Sequence, residues 1–142
     1  MKLRIDWIIH MVTNGVCDEC GKAEDSFLPY ACNAHTHGME RYGHLDFQLV
    51  LALPPKEIMR ILNTMELRVQ AGERFKAGDM VAGIYEDCVV RLDEFEETGR
   101  KVLRVVIPDK YNIFPEDERC VDTYRLQLLE TEALCVKGGV PS

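Results

Sequence analysis

The chain is predicted to fold as a single α+β domain, a largely antiparallel sheet of about six strands packed on one main helix. Three observations carry that expectation. Only the stretch from Pro54 repeats apolar residues at helical spacing for several turns. Around it lie shorter runs rich in β-branched and aromatic residues, separated by turn residues. The 142 residues, 46% hydrophobic and 29% charged, are one domain's worth of chain and enough to bury a core without disulfides.

In chain order, residues 3–12 read as a first strand, ended by the turn signal Thr13-Asn14-Gly15. Phe27 to Ala34 reads as a second strand, interrupted by Pro29 and so near an edge. Residues 35–44 carry glycine and small-residue breaks and read as a loop. Leu45 to Leu53 is a dense apolar run, expected to be a buried central strand. Pro54-Pro55 opens the helix, because a first-turn proline lacks an N–H that would have no partner there. Ile58, Ile61, Leu62, Met65 and Val69 form its apolar stripe, and Gly72 stops it. Met80 to Tyr85, Val89 to Phe95 and Lys101 to Ile107 read as strands, the last two joined by a hairpin through Glu96 to Gly99. Pro108 to Glu118 is irregular, Tyr124 to Leu129 reads as a final strand, and residues 137–142 as a flexible tail.

The formal charge of −7 disfavours nucleic acid, since an acidic surface repels phosphate and no run of Lys and Arg offsets it. Arg60, Arg68, Arg74 and Lys76 read as ordinary solvated charges. The apolar run Trp7 to Val12 is too short to cross a bilayer, and no small-residue cleavage site follows. The expected setting is the cytoplasm, with no membrane partner. Six cysteines there read as thiols or metal ligands, with Cys88, Cys120 and Cys135 as small hydrophobes.

The chemistry concentrates in a Cys/His-rich element over residues 13–44. Cys17 and Cys20, followed by Gly21, have the spacing that turns two thiolates toward one point. Cys32, with His35 or His37, offers the second pair, and the full pattern is C-x2-C-x11-C-x2-H-x-H. The expectation is Zn2+ held by Cys17, Cys20, Cys32 and one of His35 and His37. The alternative is a metal-dependent hydrolase in which His35, His37 and His44 hold the ion and Glu40 is the general base. No nucleophile elbow, P-loop or dinucleotide fingerprint is present.

Three collinear segments resemble the bacterial domain-of-unknown-function family numbered 4262. Tyr42-Gly43-His44-Leu45-Asp46-Phe47-Gln48-Leu49-Val50 is similar to its G-H-P-E-L-V-V signature, with Leu45-Asp46 in place of Pro-Glu. Gly72 to Asp79 is similar to its G-x-x-F-x-x-G-D. Pro108-Asp109 through Phe114-Pro115 is similar to its P-D-x-x-x-x-F-P. The resemblance covers a core of about residues 27–130 and does not include the Cys-x-x-Cys element. It implies a shared α+β fold in bacteria or their mobile elements, and no reaction. Read physically, Gly72, Gly78 and Gly83 are turn positions, Asp79 and Asp109 cap turns, and Phe75 and Phe114 anchor loops.

The functional expectation is a zinc-stapled binding module, without assignable catalysis, that recognises a protein or small ligand around residues 35–44. The hydrolase is the alternative. A third reading is a mobile-element inhibitor or ligand sponge acting through its acidic surface. Exposed strand edges are compatible with a homodimer.

Overall fold

The computed structural model describes residues 8–13, 25–28 and 30–137. Among the described residues eight strands form in chain order: β1 Ile8–Thr13, β2 Asp25–Phe27, β3 Ala31–His37, β4 Asp46–Leu51, β5 Met80–Val81, β6 Val90–Glu97, β7 Arg100–Val106 and β8 Cys135–Lys137. The long helix α1 is Pro55–Gln70, and a single turn, α2, is Asp122–Arg125. Six strands make one mixed sheet in the order β1-β3-β4-β7-β6-β5, and β2 pairs with β8 in a separate ribbon. All neighbours in the sheet run antiparallel except β4 and β7, which are parallel. The α+β expectation therefore holds. Among the described residues no helix is long and apolar enough to cross a membrane.

Helix α1 forms where its signals place it. Pro54 precedes it in an extended conformation, Pro55 sits in its first turn, and Gly72 leaves it at φ 109°. Ile58, Ile61, Leu62, Met65 and Val69 bury their side chains against Phe47, Leu49, Leu92, Leu103 and Val105 of the sheet. Each such side chain contributes roughly 1.5–3 kcal/mol of transfer free energy. The opposite face of the sheet is covered by the C-terminal segment, whose 3-10 turns span Leu126–Leu128 and Thr131–Leu134. The domain thus has a regular helix on one side and irregular chain on the other.

Four expected elements differ from the fold, the first being Phe27 to Ala34, which is split between β2 and β3 in different sheets. Tyr124 to Leu129 is no strand. It forms α2 and a 3-10 turn, because Gln127 is the buried residue while Leu128 and Leu129 stay partly exposed. Of Met80 to Tyr85 only Met80–Val81 pairs; the next carbonyls, of Ala82 and Ile84, accept instead from Arg68 and Arg60 on α1. The expected loop at 35–44 begins late: β3 runs on through His37, followed by a 3-10 turn over Met39–Tyr42. The tail lies outside the described residues beyond Lys137.

Candidate functional site

Strand β3 decides the fate of the expected metal ligands. Alternate residues of a strand face opposite sides, and Cys32, Ala34 and Thr36 turn toward α1 while Asn33 and His35 turn away. Cys32 is fully buried, its Sγ 3.7 and 3.6 Å from the carbonyl oxygens of Leu49 and Leu51. Burial pushes its thiol up to about 12, so it packs as a neutral small hydrophobe. Cys32 and His35 therefore do not share one ligand point. His37 ends β3, about 17 Å along the strand from Cys32 at 3.3 Å per residue. Thr13 pairs with Cys32, at the end of β3 remote from His37. Cys17 and Cys20 lie outside the described residues.

The hydrolase set does not converge either. His44 stacks on Phe47, with ring centroids 5.4 Å apart, on the α1 side. Its Nε2 accepts from the Phe75 N–H at 3.0 Å and its Nδ1 donates to the Leu45 carbonyl at 2.8 Å. Both nitrogens are used to tie the loop after α1 to the sheet. Glu40 is exposed on the 3-10 turn. Among the described residues no three His, Cys, Asp or Glu side chains are grouped so as to hold a metal ion.

What sequence reasoning missed is a buried polar layer on the side away from α1. Arg104 of β7 is fully buried. It donates from Nε to Gln48 Oε1 at 2.8 Å, from Nη1 to the carbonyls of Gln127 and Leu129 and from Nη2 to Thr131 Oγ1, and it lies 3.5 Å from the Phe95 ring centroid. Irregular backbone has no ladder of its own, so donors from the sheet satisfy its carbonyls. The guanidinium has no acceptor, which orients everything after it. Gln48 must present its oxygen to Arg104 and its amide nitrogen to Asn33 Oδ1, at 3.0 Å. Asn33 then accepts from His35 Nδ1 at 3.1 Å. His35 thus carries its proton on Nδ1 and turns Nε2 to Glu97, 3.6 Å away. Glu97 is held in turn by Arg100, which also binds Asp46 at 2.7 Å.

A second buried carboxyl interrupts the apolar stripe of α1. Glu66 is fully buried, and its Oε2 is the one buried side-chain polar atom without a partner among the described residues. Its Oε1 is 2.9 Å from Thr36 Oγ1, and Thr36 is also 2.8 Å from Asp46 Oδ1. Thr36 has one hydroxyl hydrogen and already accepts from the Phe47 N–H. Both contacts are hydrogen bonds only if a carboxyl supplies the other proton. Burial raises Glu66 to about 9, partly offset by the Thr36 bond, while Asp46 is satisfied by Arg100 and the Met39 N–H. Glu66 is therefore the neutral acid of the pair.

A cleft of about 260 Å³ lies where β4 and β7 end and α1 begins, lined among others by Glu57, Tyr85, Asp87, Cys88, Lys110 and Tyr124. Asp109 builds its wall: the carboxylate accepts from the N–H groups of Tyr111, Ile113 and Val121, fixing the loop as a turn cap. Tyr85 donates to Glu57 Oε1 at 2.5 Å, and burial with that carboxylate raises its pKa, so the phenol keeps its proton. Burial and then Asp87 raise Cys88 as well, which leaves it a poor nucleophile. Lys110 turns its ammonium to the Tyr111 ring, 5.2 Å from its centroid. The sequence signal for this cleft was the irregular stretch from Pro108, read for its turns and not for the cavity it encloses. Comparison of the chain with family models, curated proteins and solved structures gives no match.

Proposed function

We propose that the protein is a binding module that takes a small, positively charged organic ligand in the cleft between the start of α1 and the ends of β4 and β7. One observation carries the reading: a cavity of about 260 Å³ combines the carboxylates of Glu57 and Asp87 with the rings of Tyr85 and Tyr124. Aromatic faces and carboxylates together favour a desolvated cation. Ligands of open sheets commonly sit beyond the carboxyl ends of parallel strands, and the volume suits a ligand smaller than drug size. Glu57, in the first helical turn, offsets the positive end of α1. Neither Tyr85 nor Cys88 is activated as a nucleophile, which favours binding over catalysis. The acidic balance of the whole chain agrees with a cationic ligand.

The test is amide chemical-shift perturbation with putrescine, choline and acetate as probes. Shifts confined to residues 85–88 and 107–112 with the two cations, and abolished by Glu57→Gln, are the expected result. A response to acetate alone, or none to either cation, rejects the reading.

A further inference from the structure

The cleft at the start of α1 does not end at Tyr124. Leu53 and Tyr124 also line a second recess of about 140 Å³, completed by Tyr30, Leu51, Ala52 and Thr123. The Ala52 N–H donates to the Tyr30 carbonyl at 2.9 Å, which holds the residue before β3 beside those that follow β4. Among the described residues that line the recess none is charged, whereas Glu57, Asp87 and Asp109 against Lys110 leave the cleft net negative. A charged and an uncharged compartment thus share Leu53 and Tyr124.

Both tyrosines of the recess are held in place by backbone. The Ala31 N–H donates to the Leu28 carbonyl at 3.0 Å, closing a turn in which Tyr30 stands at φ 66°. That conformation suits glycine and is strained for a bulky residue. Tyr30 is nevertheless 64% exposed, so burial of its ring does not offset the strain. Contact with a ligand gives an exposed ring at that position a use. On the other wall, buried Gln127 donates from Nε2 to the carbonyls of Tyr124 and Ile107, at 2.9 and 2.7 Å, and accepts from the Ile107 N–H at 2.7 Å. It pins the turn that carries Tyr124 to the end of β7. Size decides what the recess can hold. A cavity of roughly 150 Å³ is enough to take up benzene, so the recess matches one aromatic ring. Neither compartment alone reaches the roughly 300 Å³ at which small-molecule sites begin, and the two together do.

We propose that cleft and recess form one site for an arylalkylammonium ligand, its ammonium beside Glu57 and Asp87 and its single aromatic ring against Tyr30 and Tyr124. The inference rests on the cationic reading of the cleft and adds the apolar half of the ligand. The ammonium meets carboxylates and the Tyr85 ring. Lys110, turned to the Tyr111 ring 5.2 Å away, is drawn off the position that the ammonium takes. The ring meets tyrosine faces in an uncharged recess. A second ammonium, as in putrescine, finds no carboxylate there and would lose hydration without compensation.

The 142-residue chain is titrated with propylamine, 2-phenylethylamine and 2-phenylethanol, and binding is followed by amide chemical shifts. 2-Phenylethylamine should bind at least about tenfold more tightly than propylamine, the gain expected from burying one ring. It should also shift Tyr30, Ala52 and Thr123, which propylamine leaves in place. 2-Phenylethanol should bind at least about tenfold more weakly than the aromatic amine. Tyr30→Gly is the decisive variant, because glycine adopts a φ of 66° without strain and the fold should survive. Its urea midpoint should not fall, and 2-phenylethylamine should drop to the affinity of propylamine. Equal affinities of the two amines for the parent, or an aromatic advantage that persists in Tyr30→Gly, overturn the joined site and leave the cationic cleft standing. 2-Phenylethanol binding as tightly as the aromatic amine shows a recess that takes rings without charge, which also overturns it. No response to either amine rejects the cleft reading and this inference together.

Discussion

The two faces of the sheet are both buried, yet by different physics. Toward α1, Phe47, Leu49, Leu92, Leu103 and Val105 meet the apolar stripe of the helix, whose backbone satisfies its own hydrogen bonds. On the other side, Gln48 and Arg104 bond to a segment of short 3-10 turns, and the buried polar residues Asn33, His35 and Glu97 continue from them. The helix asks only for apolar area. The irregular cover has carbonyls to satisfy, so the sheet answers with donors, and each donor fixes the orientation of the next side chain. One face supplies non-directional stability and the other a directed set of polar groups. His35 belongs to the second.

The sharpest break in that comparison is Arg104→Ala. It leaves Gln48 Oε1 and the carbonyls of Gln127 and Leu129 unpaired in the interior. We expect a loss of about 3–5 kcal/mol in urea unfolding, as large as the 2–5 kcal/mol typical of a cavity-forming Leu49→Ala on the apolar face. Arg104→Lys should recover little, because an ammonium cannot reproduce the planar fork. A loss below about 1 kcal/mol would mean that the layer is hydrated.

Glu66 tests the apolar face through its one acid. Its folded pKa of about 9 stands above the ordinary glutamate value of 4.5. Between those values the native state holds a proton that the unfolded state has released. The stabilising contribution is complete below about pH 4.5 and is lost as pH rises toward 9. From pH 5 to 8 the loss is at most about 4 kcal/mol, at 1.36 kcal/mol per unit. Asp46, held by Arg100, is the charged group facing Glu66 across Thr36. Glu66→Gln keeps a donor for Thr36 and should flatten this slope, making the variant more stable than the parent at pH 8. Parallel slopes in urea midpoints at pH 5 and 8 would contradict the neutral-acid assignment.

Smaller effects follow at the edges. His44→Phe preserves the stack on Phe47 but gives up the bonds to Phe75 and Leu45. A cost of about 1–2 kcal/mol is expected, with faster hydrogen exchange at the Phe75 amide; unchanged exchange would remove His44 as the tie for that loop. Glu57→Gln keeps an amide oxygen for the Tyr85 hydroxyl and should change stability by no more than about 1 kcal/mol while abolishing the putrescine response. Loss of stability comparable to that of Arg104→Ala would make Glu57 a structural residue.

Legibility in the sequence followed the kind of interaction. Helix α1, strand β4 and the β6–β7 hairpin were readable because apolar period and turn residues are local signals. The caps at Asp79 and Asp109 were readable for the same reason: each carboxylate bonds backbone within a few residues, to Lys76 in one case and to Tyr111 and Ile113 in the other. His35-Thr36-His37 was misread as loop because polar residues in a buried strand make sense only beside the chain that covers them. The separation of Cys32 from His35 has a different reason. Spacing says how near residues lie along the chain, and a strand sends alternate ones to opposite sides.

The order of residues alone thus determined the α+β class, the helix that builds the apolar face and the turns that cap the loops, all set by interactions a few residues long. Only the tertiary structure decided that His10 stands opposite His35, that Cys32 is a core thiol and that Arg104 orients the polar layer. Those outcomes depend on strand register and on what covers each face. Both are fixed by contacts between segments tens of residues apart, so no local pattern encodes them.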